Sequence, residues 1–326
     1  MTKLADSYHR PINYLRISVT DRCNLRCIYC MPPEGIPLMA HDDILRYEEI
    51  ALVARAAAEL GITKVRLTGG EPLVRAGVTD LVAMLAKIKG IDDISMTTNG
   101  VLLERYAVAL KEAGLQRVNV SLDSLRSKRF QKITRAAKLD DVLRGIEAAK
   151  KAGLKPVKVN MVVIRGTNDE EVPYFALLSI SDSWHVRFIE FMPFVEQGKK
   201  QSRLLVPVSE IMQRVEALGK LEPSPPNGVG PAKYYRFPGV NGTVGFISPV
   251  TDCFCEGCNR LRLTADGKLR PCLFSDEEID LRRPLRQGAT VEDMKRLIQL
   301  AVSAKPEKHK LVAGVTCERF MSQIGG

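Results

Sequence analysis

Ser18-Val19-Thr20-Asp21-Arg22-Cys23-Asn24-Leu25-Arg26-Cys27-Ile28-Tyr29-Cys30-Met31-Pro32 carries three cysteines at C-x3-C-x2-C spacing, directly after the extended run of residues 14–19. Thiolates are soft ligands suited to zinc or iron–sulfur clusters, and one short loop can bring all three onto a small polyhedron. No further Cys or His follows within the next ten residues. A four-iron cluster held by three thiolates leaves one iron open to a substrate or cofactor. Such a site is built for catalysis. A structural zinc knuckle, or three buried cysteines without metal, are the alternatives for the triplet alone.

The chain has 326 residues, 45% apolar and 26% charged, which fits a globular protein of about two domains. No apolar run approaches the ~18 residues a membrane helix needs, so no membrane association is expected. The start of the chain, Met1-Thr2-Lys3-Leu4-Ala5-Asp6-Ser7, lacks the apolar stretch of a secretory leader. Six of the eight cysteines fall in two triplets. That pattern reads as metal ligation in a reducing cytoplasm, not as disulfides. The net charge of +10 admits either nucleic acid or a small polyanion as partner. Basic runs such as Lys199-Lys200 and Lys308-His309-Lys310 are short and scattered, and aromatics are only 6%, so a base-stacking surface is not expected.

Strands and helices alternate through the first two-thirds. Strands are expected at 14–19, 64–67, 93–97, 117–121, 156–163 and 185–191, and helices at 47–59, 78–87, 102–113, 139–151 and 170–180. Ile50, Val53, Ala54, Ala57 and Leu60 share one face of the first helix. Gly61, Gly114 and Gly153 stand where helices should end. Alternation of this kind gives parallel pairing, and six units favour an incomplete (β/α) barrel over a doubly wound sheet. Barrel enzymes place their chemistry at the C-terminal ends of strands. There stand the three cysteines, Thr68-Gly69-Gly70-Glu71-Pro72, Thr97-Thr98-Asn99-Gly100, Ser121-Leu122-Asp123 and Glu190-Phe191-Met192-Pro193. Gly69 and Gly70 would let backbone approach a ligand closely. Arg16, Arg66, Lys158 and Arg187 lie on strands. Cations converging on one interior ask for a polyanion, although period two predicts that one or two of the four point outward.

After residue 193 the alternation breaks. A loop is expected over 194–203, a helix over 207–218, a Pro/Gly-rich connector over 221–231 and a strand over 242–247, with a domain boundary at 222/223. Cys255-x2-Cys258-x13-Cys272 forms a second triplet, for which structural zinc is a serious competitor. Its fourth ligand would have to be Cys253, His309 or Cys317, none at good spacing. In Asn259-Arg260-Leu261-Arg262-Leu263-Thr264 alternation puts Arg260 and Arg262 on one face. Asp266-Gly267 then turns the chain back toward Cys272.

The first triplet, with Tyr29 before its third cysteine, resembles the radical S-adenosylmethionine (SAM) superfamily. Both triplets together, with C-N-R-L-R-L-T after Cys258 and Gly325-Gly326 at the end, resemble the GTP 3′,8-cyclase family of molybdenum cofactor biosynthesis. The resemblance spans essentially the whole chain. It implies an α/β fold: an incomplete (β/α)6 TIM-like barrel over 1–222, closed by a C-terminal α+β extension over 223–326 carrying a second cluster. Two [4Fe–4S] clusters are implied, on Cys23, Cys27 and Cys30 and on Cys255, Cys258 and Cys272. SAM contacts fall on Tyr29, Gly70, Ser121 and Met192, and GTP contacts on Arg16, Arg66, Thr97, Lys158, Arg260, Leu261 and Arg262. Arg270 falls outside the matching positions. The terminal glycines would reach into the catalytic centre. The implied reaction cleaves SAM to methionine and a 5′-deoxyadenosyl radical. That radical takes the C3′ hydrogen of GTP, C3′ closes onto C8, and one electron and a proton complete (8S)-3′,8-cyclo-7,8-dihydroguanosine 5′-triphosphate. The first cluster's cysteines, Arg260 and Arg262 carry the catalysis on this reading. Partners would be GTP, SAM, an electron donor, a downstream cyclic pyranopterin monophosphate synthase and, as an option, a second copy of the chain.

Three other readings compete. One is a radical SAM enzyme with an auxiliary cluster acting on a peptide or RNA. The others are an iron–sulfur electron carrier and a zinc-stabilised nucleic-acid-binding module. The carrier needs four thiolates per site, and the last needs a basic, aromatic-rich surface that the sequence lacks.

Overall fold

The structure is a computed structural model that describes residues 4–192, 202–225, 230–309 and 319–325. Most of the loop expected at 194–203, part of the connector, Cys317 and Gly326 lie outside the described residues. Six strands alternate with helices: β1 Tyr14–Ser18, β2 Lys64–Thr68, β3 Asp93–Thr98, β4 Arg117–Ser121, β5 Lys158–Val163 and β6 His185–Glu190. The helices between them are α1 Tyr47–Glu59, α2 Val78–Ala86, α3 Leu103–Glu112, α4 Ser127–Thr134, α5 Leu139–Lys151 and α6 Val172–Ser181. All six strands pair in parallel and in chain order. Gly61, Gly114 and Gly153 have positive φ just past α1, α3 and α5, as helix-ending glycines should.

The C-terminal segment continues the same sheet from both sides. After α7 Val208–Glu216 come β7 Glu222–Pro223, β8 Lys233–Arg236 and β9 Thr243–Ile247, and β9 pairs in parallel with β6. The chain then crosses to the other end of the sheet. There β10 Arg260–Leu263 pairs in parallel with β1, and β11 Lys268–Arg270 and β12 Ile279–Asp280 follow antiparallel. The sheet order is β12-β11-β10-β1-β2-β3-β4-β5-β6-β9-β8-β7, so eight adjacent parallel strands surround the interior. Three further helices close the fold: α8 Arg282–Arg286, α9 Val291–Ser303 and α10 Met321–Ile324.

Parallel strands covered by helices are ordinarily apolar on both faces. These alternate instead. Leu15, Ile17, Val65, Leu67, Ile94, Met96, Val118, Val120, Val159, Met161, Val186 and Phe188 all join the one large core under the helices. Most of the alternate positions, among them Arg16, Arg66, Thr97, Asn119, Asn160 and Arg187, are polar or charged, with Val162 and Ile189 apolar on the same face. Stability thus resides in the outer shell: truncating Ile50 of α1, fully buried there, should cost ~2–5 kcal/mol. The inside is a cavity with charged side chains in its wall.

Four helices, α4, α8, α9 and α10, fall outside the sequence reading. In α4 only Phe130, Ile133 and Thr134 are buried, too short a stripe to register as periodicity. α9 is announced by a capping box: the Thr290 hydroxyl accepts from Asp293 N, and the Asp293 carboxylate accepts from Thr290 N.

Candidate active site

The first cysteine loop leaves the top of β1 and rests on the loop after β2. Gly70 N donates to Thr20 O and Glu71 N to Arg22 O, each at 2.8 Å. A Cβ on Gly70 would stand 2.3 Å from Arg22 O. Gly70 is therefore required by the seat of the cysteine loop, a reason different from the ligand approach expected from sequence. Glu71 is buried and braces the next strand end, accepting from Thr98 Oγ1 at 2.7 Å and Asn99 N at 2.6 Å. Burial raises its carboxyl to about 7 against those hydrogen bonds. Burial likewise pushes the thiols of Cys23 and Cys30 up to about 11 and about 12, and that of Cys27 well above its ordinary value. A metal must supply the charge that makes these sulfurs thiolates.

The second loop has the opposite electrostatics. Burial opposes ionisation of Cys258, yet Arg260 and Lys305 outweigh it and bring the thiol down to about 6. Lys305 Nζ donates to Arg260 O at 2.9 Å and Pro271 O at 2.7 Å, tying β10 to the Cys272 turn. Cys255 stays high, at about 11, through burial. The ligand atoms of Cys253, Cys255 and His309 lie within 4.8 Å of one another. Sequence spacing gave no reason to join His309 to this loop; the fold does so from 54 residues away.

Between the two loops lies a cavity of about 250 Å³. Its wall includes Tyr29, Ser121 and Met192, the three cysteines Cys255, Cys258 and Cys272, and Arg16, Arg66, Thr97, Arg260 and Arg262. Register explains the charge: Arg262, Arg16 and Arg66 are aligned side by side on three adjacent parallel strands. Burial lowers Arg16 well below its ordinary value, with Arg262 next, and brings Arg262 down to about 9 together with Arg260. Lys158 falls to about 6 through burial, then Arg187, Arg117 and Arg66. All four cations expected on strands face inward, so the anticipated outward pair does not exist. Within the described residues, Thr97 Oγ1, Asn160 Oδ1, Tyr14 Oη and Arg187 Nε are buried without hydrogen-bond partners, and all four residues line this cavity. Buried polar atoms left open in this way mark a place for a polar, anionic ligand.

Gly325 reaches the arginines of this chamber. Gly325 O accepts from Arg16 Nη2 at 3.0 Å, Thr68 Oγ1 at 3.3 Å and Arg262 Nη1 at 3.3 Å. A Cβ there would meet Thr68 Cγ2 at 2.7 Å, and φ is +73°. Only glycine fits.

Comparison with known proteins places this architecture. Residues 17–178 match the radical SAM superfamily, and residues 184–311 match the Molybdenum Cofactor Synthesis C family. The GTP 3′,8-cyclase of Pelotomaculum thermopropionicum is 54% identical over 99% of this chain and 100% of its own. That of Moorella thermoacetica is 52% identical over 99% and 100%. The chain belongs to the GTP 3′,8-cyclase family. Its cofactors are those of the family, SAM and two [4Fe–4S] clusters, and three cysteines converge at each site. Solved radical SAM folds agree in shape: Streptococcus suis SuiB bound to S-adenosylmethionine has TM-score 0.60 at 13% identity over 91% of this chain and 76% of that one. Native anSMEcpe with bound AdoMet has TM-score 0.58 at 17% identity over 92% and 83%. Among the described residues, no helix is long and apolar enough to cross a membrane.

Against the cyclase fold, the sequence-picked residues divide. Eleven line the cavity: Arg16, Tyr29, Arg66, Thr97, Ser121, Met192, Cys255, Cys258, Arg260, Arg262 and Cys272. Cys23, Cys27 and Cys30 lie beyond Tyr29, and Gly70 beneath them. The side chain of Leu261 is buried in the outer core, on the opposite face from Arg260 and Arg262, so only its main chain could meet a ligand. Lys158 is buried with its ammonium 5.4 Å from the Tyr234 ring centroid, behind the cavity wall. Arg270 is not a bystander: it is fully buried and ion-paired to Glu278, because β11 turns it into the fold. Sequence reading placed Asp123 at a strand end that carries the chemistry but gave it no role; its carboxylate accepts from Tyr29 Oη at 2.7 Å and from Val162 N at 2.9 Å. It also missed Asn160, a polar residue at an inward position of β5, and Lys305, which follows α9 and reaches the site only through the closure of the fold.

Proposed function

We propose that the chain converts GTP to (8S)-3′,8-cyclo-7,8-dihydroguanosine 5′-triphosphate, the first step of molybdenum cofactor biosynthesis. The observation that carries this is one chamber with a thiolate triplet beside each end and aligned arginines between. Bound SAM and the clusters supply one-electron chemistry, in which SAM yields methionine and 5′-deoxyadenosine and GTP gives up a hydrogen atom. The chain's residues bind and orient. Tyr29, Ser121, Met192 and the Gly70 backbone hold SAM next to Cys23, Cys27 and Cys30. Arg16, Arg66, Thr97 and Arg187 take ribose and triphosphate, with Lys158 adding charge from behind. Arg260, Arg262 and the Leu261 main chain hold the guanine against the loop of Cys255, Cys258 and Cys272. Gly325 and the apolar wall of Phe191, Leu273 and Phe274 keep water and stray hydrogen donors out. On this reading 1–222 brings SAM and 223–326 brings the base, an external reductant is needed in the cytoplasm, and a cyclic pyranopterin monophosphate synthase takes the product. Anaerobic reaction of reconstituted protein with GTP, SAM and reductant should give a cyclised nucleotide by mass spectrometry; unchanged GTP would refute it.

Two results follow for the ligands. Reconstituted protein should hold about eight irons per chain, three cysteines serving each cluster. About four irons with one tight zinc would refute the second cluster. GTP binding should also take up protons at about pH 8. Lys158 is mostly neutral there in the free protein, and a triphosphate favours its charged form. Binding therefore tightens as pH falls toward about 6, and calorimetric heats depend on the buffer's ionisation enthalpy. Lys158→Met should remove most of that dependence. Heats identical in all buffers would contradict the placement of the triphosphate.

A further inference from the structure

We propose that Cys253, Cys255 and His309 form a binding site for one soft divalent ion of the Zn2+ class, filled in place of the second cluster and never together with it. The exclusion follows from Cys255, which both arrangements use. The three ligand atoms lie within 4.8 Å of one another. Tetrahedral zinc–thiolate bonds of ~2.3 Å put neighbouring ligands roughly 3.8 Å apart, so about an ångström of contraction closes the site. Thiolates sharing a four-iron cluster each take a different iron and stand further apart, so the trio suits a single ion.

Three independent features build the site. His309 Nε2 lies 2.9 Å from Pro249 O. A carbonyl only accepts, so Nε2 carries the proton and Nδ1 carries the lone pair. A ligating histidine is commonly fixed in this way, its other ring nitrogen donating to a backbone carbonyl. Second, the buried Arg10 guanidinium clamps the two segments together. It donates to Cys255 O at 2.8 Å and to Glu307 O and Pro306 O at 2.8 and 2.7 Å, while Asp6 holds it at 2.5 Å. Cys255 and His309 are thus held near each other without a metal. Third, Cys253 and Cys255 face different spaces. Cys255 and His309 line the substrate chamber, whereas Cys253 lines a separate surface pocket with Asp252, Glu256 and Lys233. An ion can therefore arrive from that pocket without passing through the substrate chamber. In the protein before cluster assembly this gives Cys255 a resting ligand set, and excess zinc would compete with iron for it.

The test uses the full-length, cluster-free chain carrying Cys23→Ser, Cys27→Ser and Cys30→Ser, titrated anaerobically with Zn2+ alone against a chromophoric chelator. One Zn2+ should bind per chain. Cys253→Ser and His309→Ala should each weaken it by more than about tenfold, and Cys258→Ser and Cys272→Ser should leave it within about twofold. Prior Zn2+ should also block iron uptake by the parent but not by Cys253→Ser. Iron uptake by that variant shows that it folds; should it take up none, His309→Gln carries the same comparison. Zinc affinity unchanged by Cys253→Ser and by the His309 variants overturns the proposal. So does a loss with Cys272→Ser as large as with Cys253→Ser, or an absence of binding in the parent. None of these outcomes depends on GTP turnover, so the cyclase reading and this one fail separately.

Discussion

Cys27→Ser will abolish cleavage of SAM, whereas Cys258→Ser will leave it measurable and stop the cyclisation of GTP. The two loops border one chamber, Tyr29 of the first and Cys258, Arg260 and Arg262 of the second all lining it. At the first loop, burial, with Asp123 and the neighbouring thiols next, holds the Cys27 thiol well above its ordinary value. Losing one of three ligands there should displace the cluster and its open iron. Cys258 belongs to the other loop, the one assigned to the base. 5′-Deoxyadenosine and cyclised nucleotide, measured in parallel with iron content, separate the two functions. Equal loss of SAM cleavage in both folded variants would show that the loops do not divide the work.

Arg262→Ala will weaken GTP binding by roughly ten- to a hundredfold, the ~1.5–3 kcal/mol expected for one charge-assisted contact, while SAM binding and iron content stay normal. Arg262 is fully buried between Arg16 and Arg270 in register, so its charge has no solvent to screen it. It also supports Gly325 O, so turnover should fall further than affinity. Gly325→Ala separates the two roles, because its Cβ would meet Thr68 Cγ2 at 2.7 Å and expel the tail without removing a cation. That variant should lose turnover and keep most GTP affinity. Arg296, exposed on α9, is the proper control. Arg270→Ala is not, since it would empty the space of a fully buried side chain and take one of the two arginine partners of Glu278, Arg319 being the other. Normal GTP affinity in Arg262→Ala would move the substrate elsewhere.

Much of this was legible before any coordinates. The helix period of 47–59 and the extended runs ending in Cys, Gly-Gly-Glu-Pro, Thr-Thr-Asn-Gly and Ser-Leu-Asp give the parallel units and the end of the barrel that carries the chemistry. Local pattern could not supply what the register supplies. Arg16, Arg66 and Arg262 lie on strands far apart in sequence, and only the order β10-β1-β2 makes them neighbours. The same closure brings His309 to Cys255 and Gly325 to Arg16. Gly70 could be picked as special from sequence. The backbone it accommodates, Arg22 O, could not.

The most direct measurement of the central claim is hydrogen transfer from GTP deuterated at C3′. If GTP lies across the chamber with its ribose toward the Tyr29 end and its base toward Cys258, the deuterium will appear in 5′-deoxyadenosine and be absent from the cyclised product. 5′-Deoxyadenosine formed at the same rate but without deuterium would contradict the account.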